Sequence, residues 1–380
     1  MSKRKILLVS GYFPFPATHG GKVDVWNRIL GLFDLGFQID LLFTDTLTVS
    51  KEELSFVNNY VQNLFEAKRK NKFQDILKNK PLQVLSRDSL KTIKINKEYD
   101  FLILEGDYVA EVIENPTIKY TKLILRSQND ESLYFKNLAK STTNIFKKTY
   151  YFIESKKFKN YVKELYKKVD RIWFISKDEQ LRCNAKNTMW LPSPFSISEI
   201  KQQELTKSNV LFIGSLFMSN NIAGLTWYLE NVHKILCEKE KNYKLVIAGS
   251  TNGKNTDKLI KKFNEYTNLE FHFDIPSLSG LYKNASVFIN PMFHGAGVKI
   301  KSINAIINGM PLVSTSVGAE GTGLQHGKEF LLADSPKAFK KAISDLLSNA
   351  ISKDNLVRNG QKYLEENHYL KLLKEELQCS

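Results

Sequence analysis

Short, continuous apolar runs recur along the chain, each followed by a longer stretch in which apolar residues return every three or four positions. The short runs predict strands at Lys5–Val9, Phe37–Phe43, Phe101–Leu104, Leu123–Arg126 and Arg171–Ile175. A second set follows at Val210–Ile213, Leu245–Ala248, Leu269–Phe273, Val287–Ile289, Leu312–Ser314 and Glu329–Leu332. The stretches between them predict helices. Strands that are apolar on both faces and alternate with helices belong to parallel sheets covered on both sides. Two such sets predict an α/β chain of two doubly wound, Rossmann-like domains rather than one barrel. The pattern breaks at Leu191-Pro192-Ser193-Pro194 and through the polar run 196–208. The expected division is a first domain over 1–194, a linker over 195–208, a second domain over 209–354 and a helical tail over 355–380. In that tail Tyr363, Leu364, Tyr369, Leu370, Leu373 and Leu377 recur on common faces.

A length of 380 residues with 42% hydrophobic and 12% aromatic content fits two buried cores and excludes global disorder. Three widely spaced cysteines (Cys183, Cys237, Cys379) make no disulfide framework, and no Cys/His set has metal-ligand spacing. No window approaches the roughly 18 apolar residues of a spanning helix, and the short first apolar run does not suit a signal peptide, so a cytoplasmic location is expected.

The formal charge of +15 calls for a polyanionic partner. Much of it lies between Lys136 and Arg171, where basic residues greatly outnumber Glu154, Glu164 and Asp170 and are threaded with Phe146, Tyr150, Ile153, Phe158 and Tyr161. Two readings of 136–171 stand side by side. One is a solvated helix with an ordinary buried stripe. The other is a peripheral contact with an anionic membrane face, each basic residue contributing on the order of 1 kcal/mol. Nucleic acid has less support, because no helix-turn-helix, RNP or zinc-finger pattern accompanies the charge.

Two glycine-bearing turns carry candidate chemistry. The first strand leads into His19-Gly20-Gly21 and then a helical stretch, so free amides at a helix start can meet an anion. This is not the dinucleotide fingerprint, and a plain tight turn explains it as well. The stronger feature is Ile289-Asn290-Pro291-Met292-Phe293-His294-Gly295-Ala296-Gly297-Val298-Lys299-Ile300-Lys301, in which a strand, a two-glycine turn and a helix follow one another. Amides at such a turn can hold a diphosphate, and Lys299 and Lys301 can neutralise charge on a departing nucleotide. Gly309-Met310-Pro311-Leu312-Val313-Ser314-Thr315 and Gly318-Ala319-Glu320-Gly321 follow at set distances.

Together these segments resemble the retaining glycosyltransferases of the GT-B fold, in the broad group called family 4. Leu211-Phe212-Ile213-Gly214-Ser215 resembles the opening turn of their nucleotide-binding domain, and Leu125-Arg126-Ser127-Gln128-Asn129-Asp130-Glu131 resembles a segment facing the acceptor. The resemblance implies two Rossmann-like domains facing a cleft and a C-terminal helix that crosses back to the first domain. It also implies a nucleoside diphosphate sugar (UDP or GDP) as co-substrate, no metal or other cofactor, and a glycan or lipid-linked acceptor. Residues expected at the donor are Gly20, Gly21, Gly214, Gly295, Ala296, Gly297, Val298, Asn304 and Glu320. Gln128, Lys299 and Lys301 are expected at the reacting atoms, and His19 and Asn129 at the acceptor. Two positions depart from the family pattern. Asn304 stands where a glutamate holds the nucleotide ribose, and Gln128 where a histidine lies near the reacting sugar. Asn lacks the charge-assisted bond of a carboxylate, and Gln cannot shuttle a proton as imidazole does. These departures open a second reading, a GT-B-fold protein that no longer catalyses and acts as the binding partner of an active transferase.

Overall fold

The computed structural model describes residues 3–17, 20–45, 49–70, 73–194, 208–240, 242–253, 256–295 and 297–378. The expected linker lies outside them except for Ser208. Met1–Pro194 together with Tyr369–Ser380 form one compact unit, and Phe195–His368 form a second.

In the first unit the strands are β1 (Lys5–Ser10), β2 (Gln38–Phe43), β3 (Asn63–Glu66), β4 (Lys97–Glu105), β5 (Ile118–Ser127), β6 (Arg171–Phe174) and β7 (Thr188–Trp190). They form one parallel sheet in the order β3-β2-β1-β4-β5-β6-β7. Its α-helices are α1 (Gly20–Asp34), α2 (Lys51–Val57), α3 (Leu82–Leu85), α4 (Glu131–Ser141), α5 (Ile145–Leu165) and α6 (Lys177–Arg182). Successive residues of each central strand serve opposite faces. Leu7, Val9, Leu102 and Leu104 pack on one side with Phe135 of α4 and Phe158 of α5. Ile6, Leu8, Phe101 and Ile103 pack on the other with Val25, Ile29 and Leu32 of α1. This double burial explains the unbroken apolar runs.

The second unit repeats the plan with β8 (Asn209–Ile213), β9 (Lys244–Gly249), β10 (Leu269–Phe273), β11 (Val287–Asn290), β12 (Leu312–Ser314) and β13 (Leu331–Leu332), ordered β10-β9-β8-β11-β12-β13. Its helices are α7 (Ser219–Tyr228), α8 (Lys234–Lys239), α9 (Asp257–Phe263), α10 (Ser279–Lys283), α11 (Ile300–Ile307), α12 (Ser316–Ala319), α13 (Pro336–Leu347) and α14 (Lys353–Glu366).

The helical tail expected as one piece is two. Helix α14 stays with the second unit, where Tyr363 donates from its hydroxyl to the Thr322 carbonyl at 3.0 Å and Gly360 lies against Ile306. Asn367 and His368 interrupt the helix, the Asn367 side-chain amide donating to the Tyr363 carbonyl at 2.7 Å. Helix α15 (Tyr369–Gln378) then returns to the first unit, where Tyr369, Leu373 and Leu377 join the core beside β1. Two strands escape the hydrophobic pattern: β3 and β7 are short outer strands without a continuous apolar run. Among the described residues no helix is long and apolar enough to cross a membrane.

At the C-terminal edge of the first sheet, charge is sealed inside. Arg28 of α1 donates to Glu105 at the end of β4, to Asp24 at 2.9 Å and to the Tyr369 hydroxyl at 2.8 Å. Arg126 at the end of β5 clamps both Asp24 oxygens, at 3.0 and 2.9 Å, and donates to the carbonyls of Leu191 and Pro192. Both guanidinium groups are fully buried. Burial opposes ionisation of Asp24, yet the two arginines outweigh it and hold its carboxyl below the ordinary value. Replacing Arg126 with Ala leaves the Asp24 charge buried with one partner, which costs about 3–5 kcal/mol. A urea titration monitored by circular dichroism should therefore show a markedly lower midpoint; a loss under about 1 kcal/mol would refute this role.

Candidate functional site

In the second unit the chain builds β8, β9 and β10 in one direction and then returns to place β11 on the other side of β8. Doubly wound sheets take ligands outside the carboxyl ends of the strands at such a reversal. Here that edge carries Gly214 after β8, Gly249 at the end of β9, and the turn 291–299 between β11 and α11. The Gly249 backbone has φ +149° and lies so close to the Gly214 carbonyl that a Cβ would overlap it. Gly295 and Gly297, at φ +135° and +79°, bend the turn through conformations that side chains disfavour. Ala296 between them lies outside the described residues.

Side chains fix this turn from below. The Asn290 amide donates to Ser302 Oγ at 2.9 Å and to the Gly318 carbonyl at 2.7 Å, and Ser302 Oγ donates to the same carbonyl at 2.7 Å. The Thr315 hydroxyl donates to the Met292 carbonyl. The two predicted lysines then take different courses. Lys299, only 5% exposed, curls back to the Gly297 and Gly295 carbonyls and lies 3.4 Å from the Glu320 carboxylate. Its backbone N–H donates to the Glu320 carbonyl at 3.3 Å, so Glu320 and the turn are tied twice. Lys301 reaches back to Asn221 of α7, donating to Oδ1 at 2.7 Å, and covers the Phe212 ring at 5.0 Å. Asn221 in turn donates to the Ser215 carbonyl at 3.0 Å. Burial, reinforced by the neighbouring Lys299 charge, lowers Lys301 to about 7.

The remaining donor positions differ in setting. Val298, within the turn, is half-buried. Asn304 is exposed on α11, whose Ser302, Ile303 and Ala305–Ile307 are buried. Asn221, Asn290, Ser302 and Thr315 carried no role in the sequence reading. Asn220-Asn221 is the only local signal for the first of them, while the others gain meaning only when β11, α11 and α12 meet.

Gly20, Gly21, Gln128 and Asn129 belong to the first unit. Gly20 and Gly21 open α1, and His19 lies outside the described residues. Gln128 and Asn129, adjacent in sequence, have different partners. Gln128 donates to Glu105 Oε2 at 3.1 Å and accepts from the Tyr12 hydroxyl at 3.2 Å. Asn129 lines a cavity of about 520 Å³ with Asp107, Glu131, Lys136, Lys156 and Arg182. Burial lifts Glu131 to about 7, partly offset by its hydrogen bond from Asn129. Burial and the adjacent Glu131 raise the Asp107 carboxyl as well. The cavity thus joins carboxyl groups suited to hydroxyls with basic side chains suited to an anion. Asp107 was not singled out in the sequence, and Glu131 carried no role there. Arg126, in the segment expected to face an acceptor, is instead sealed in the interior. Among the described residues no group of three or more His, Cys, Asp or Glu side chains is placed to hold a metal ion.

Residues 207–349 match the family described as Glycosyl transferases group 1. A Klebsiella pneumoniae protein, described as an uncharacterized 44.6 kDa protein in the cps region, is 36% identical over 96% of both chains. The chain belongs to the same family as that protein and carries a glycosyl transferases group 1 domain. Its fold is that of GT-B glycosyltransferases, with two parallel-sheet α/β units. A mutant of S. aureus TarM, solved with fondaparinux, alpha-GlcNAc-glycerol and UDP, has a TM-score of 0.66 at 10% identity, over 98% of this chain and 99% of that one. Sucrose-phosphate synthase from Thermosynechococcus elongatus gives 0.66 at 12%, over 98% and 97%. Anabaena HepE, solved with UDP and glucose, gives 0.61 at 11%, over 98% of each chain.

Lys301 gives the group 1 domain a pH signature. Its ordinary value is 10.5, against about 7 in the fold. Below pH 7 the amine is charged in both the folded and unfolded chain, so the cost of burying that charge is present in full. Between about 7 and 10 the unfolded chain carries the extra proton, and stability rises with pH by up to about 1.4 kcal/mol per unit. The stability difference between the unsubstituted protein and Lys301→Met should therefore climb over that window in urea titrations. A difference flat in pH would overturn the assignment.

Proposed function

We propose that the protein is a retaining glycosyltransferase, similar to family 4, that moves a sugar from a UDP- or GDP-sugar to a lipid-linked or surface-glycan acceptor without a metal. The observation that carries this is the turn at Gly295–Lys299, with Lys299 buried and Lys301 half-buried beside it. Lys299 is 5% exposed, with Glu320 3.4 Å away, and burial, reinforced by the Lys299 charge, lowers Lys301 to about 7. A diphosphate supplies the opposite charge that favours its ammonium form. In the proposed reaction the bond from the anomeric carbon to the diphosphate oxygen breaks as the acceptor oxygen attacks on the same face. The leaving diphosphate takes the acceptor hydroxyl's proton, and Lys299 and Lys301 stabilise the charge that develops. No protein base is then needed at position 128, and Gln128 acts by positioning. Asn129 and Glu131, in the first-unit cavity, are the proposed acceptor contacts.

A second reading, a non-catalytic binding partner of an active transferase, rests on Asn304, which brings no carboxylate to a ribose, and on Gln128, whose amide is engaged by Glu105 and Tyr12. Titration with UDP, GDP and their sugars divides the readings. A nucleotide at 100 times its dissociation constant should add about 2.7 kcal/mol of stability. Affinity should fall about tenfold per pH unit above 7, because binding must then recharge Lys301. Absence of any nucleotide response sinks the transferase reading. Binding strengthened by Asn304→Glu, with no sugar transfer or hydrolysis, favours the partner reading.

A further inference from the structure

Helix α5 carries apolar residues on two sides. Phe158 and Leu165 are buried in the first unit's core. Ile145, Phe146, Phe152 and Ile153 are 65%, 84%, 50% and 44% exposed. These four fall into two pairs seven residues apart, so they share one outer helix face. Lys156 and Lys163 share that face, Lys148 and Lys159 flank it, and its acidic member, exposed Glu164 near the end of the helix, pairs with Lys167 at 2.7 Å. From Thr142 to Asn160 the sole acidic residue is Glu154. Its side chain is buried, accepting from the Leu82 N–H at 2.8 Å and pairing with Lys157 at 3.0 Å. Lys147, Lys148, Lys156 and Lys159 remain exposed, and the Lys156 amine sits over the Phe152 ring at 4.5 Å.

The helix presents this face from a fixed base. Ser132 of α4 and Ser155 of α5 exchange hydroxyl-to-carbonyl hydrogen bonds at 3.0 and 2.8 Å, and the Phe135 and Phe158 rings stack 5.5 Å apart. Exposed aromatic and aliphatic side chains flanked by a surplus of lysines match the two layers of a membrane surface. The apolar groups suit the acyl boundary, and the ammonium groups suit anionic headgroups. A second copy of the chain fits less well, since a symmetric contact through this face would bring its own lysines together.

We propose that the outer face of α5 docks on an anionic lipid bilayer, with Ile145 and Phe146 inserted and Phe152 and Ile153 at the interface. Lys156 lines the 520 Å³ cavity as well as this face. Docking therefore places the cavity beside the membrane surface, which extends the lipid-linked side of the proposed acceptor. The contact itself needs neither nucleotide nor turnover, so it can fail or hold independently of the transferase reading.

The test uses the full chain and vesicles of phosphatidylcholine, with or without 30% phosphatidylglycerol. The expected result is co-sedimentation with the anionic vesicles only, weakened at least tenfold when NaCl rises from 50 to 500 mM. The double substitution Ile145→Ser, Phe146→Ser should lower vesicle affinity at least tenfold while leaving the thermal midpoint and any nucleotide-induced shift unchanged. Failure to bind anionic vesicles overturns the proposal, as does binding indifferent to the double substitution. So does self-association in light scattering that disappears with the double substitution while vesicles are ignored, which would assign the face to a second copy.

Discussion

The first unit depends on a charge-balanced cluster with almost no access to water. Asp24 and Arg28 come from α1, Glu105 from the end of β4, Arg126 from the end of β5, and Tyr369 from the returning α15. Buried ion pairs are weak contributors to stability, because desolvation consumes most of what attraction returns. What this cluster supplies is position. Removing any one of its four charged members strands an opposite charge in the interior. The carbonyls of Leu191 and Pro192, which accept from Arg126, are held to the same point just before the chain leaves the unit.

The second unit solves the corresponding problem with dipoles. Asn290, Ser302 and Thr315 tie the ends of β11 and β12 to the start of α11, and Gly249 lets β9 approach β8 at backbone distance. Within this neutral frame the turn brings its own charges, Lys299 and Lys301. Lys299 and Lys301 have Glu320 as the carboxylate placed by the fold, at 3.4 Å from one of them and about one-third exposed. In such a setting the attraction for a multiply charged anion exceeds what the same lysines would have on an open surface. The depressed Lys301 value is one expression of the desolvation cost in that setting.

Much of this could be read in the chain itself because both sheets are buried on both faces. All eleven predicted strands correspond to strands of the structure, and the misses are β3 and β7, whose partly exposed positions leave no apolar run. The tail shows a different limit. A common periodicity runs through α14 and α15, yet Asn367 and His368 divide it, and periodicity says nothing about which core each half enters. The glycines and lysines of the turn were legible because backbone geometry and charge are local properties. Asn221, eighty positions from Lys301, was not, since its role arises only from a strand order that brings β8 beside β11. Arg126 marks another limit: it belongs to a segment that resembles one facing an acceptor, yet four hydrogen bonds hold it inside.

The two departures from the family pattern differ in physical weight. Position 128 is joined to the buried cluster, where a side chain must donate to Glu105 and accept from Tyr12 at once. A neutral amide does both at every pH. An imidazole must choose a tautomer, and once protonated it can no longer accept from Tyr12. Gln128 is therefore explained by the interior it serves, and the adjacent Asn129 and Glu131 are left to line the cavity. Position 304 carries no such duty, for Asn304 is exposed and its side chain supports no part of the α11 packing. A glutamate could stand there without disturbing the fold. Stability thus accounts for Gln128 and is indifferent to Asn304.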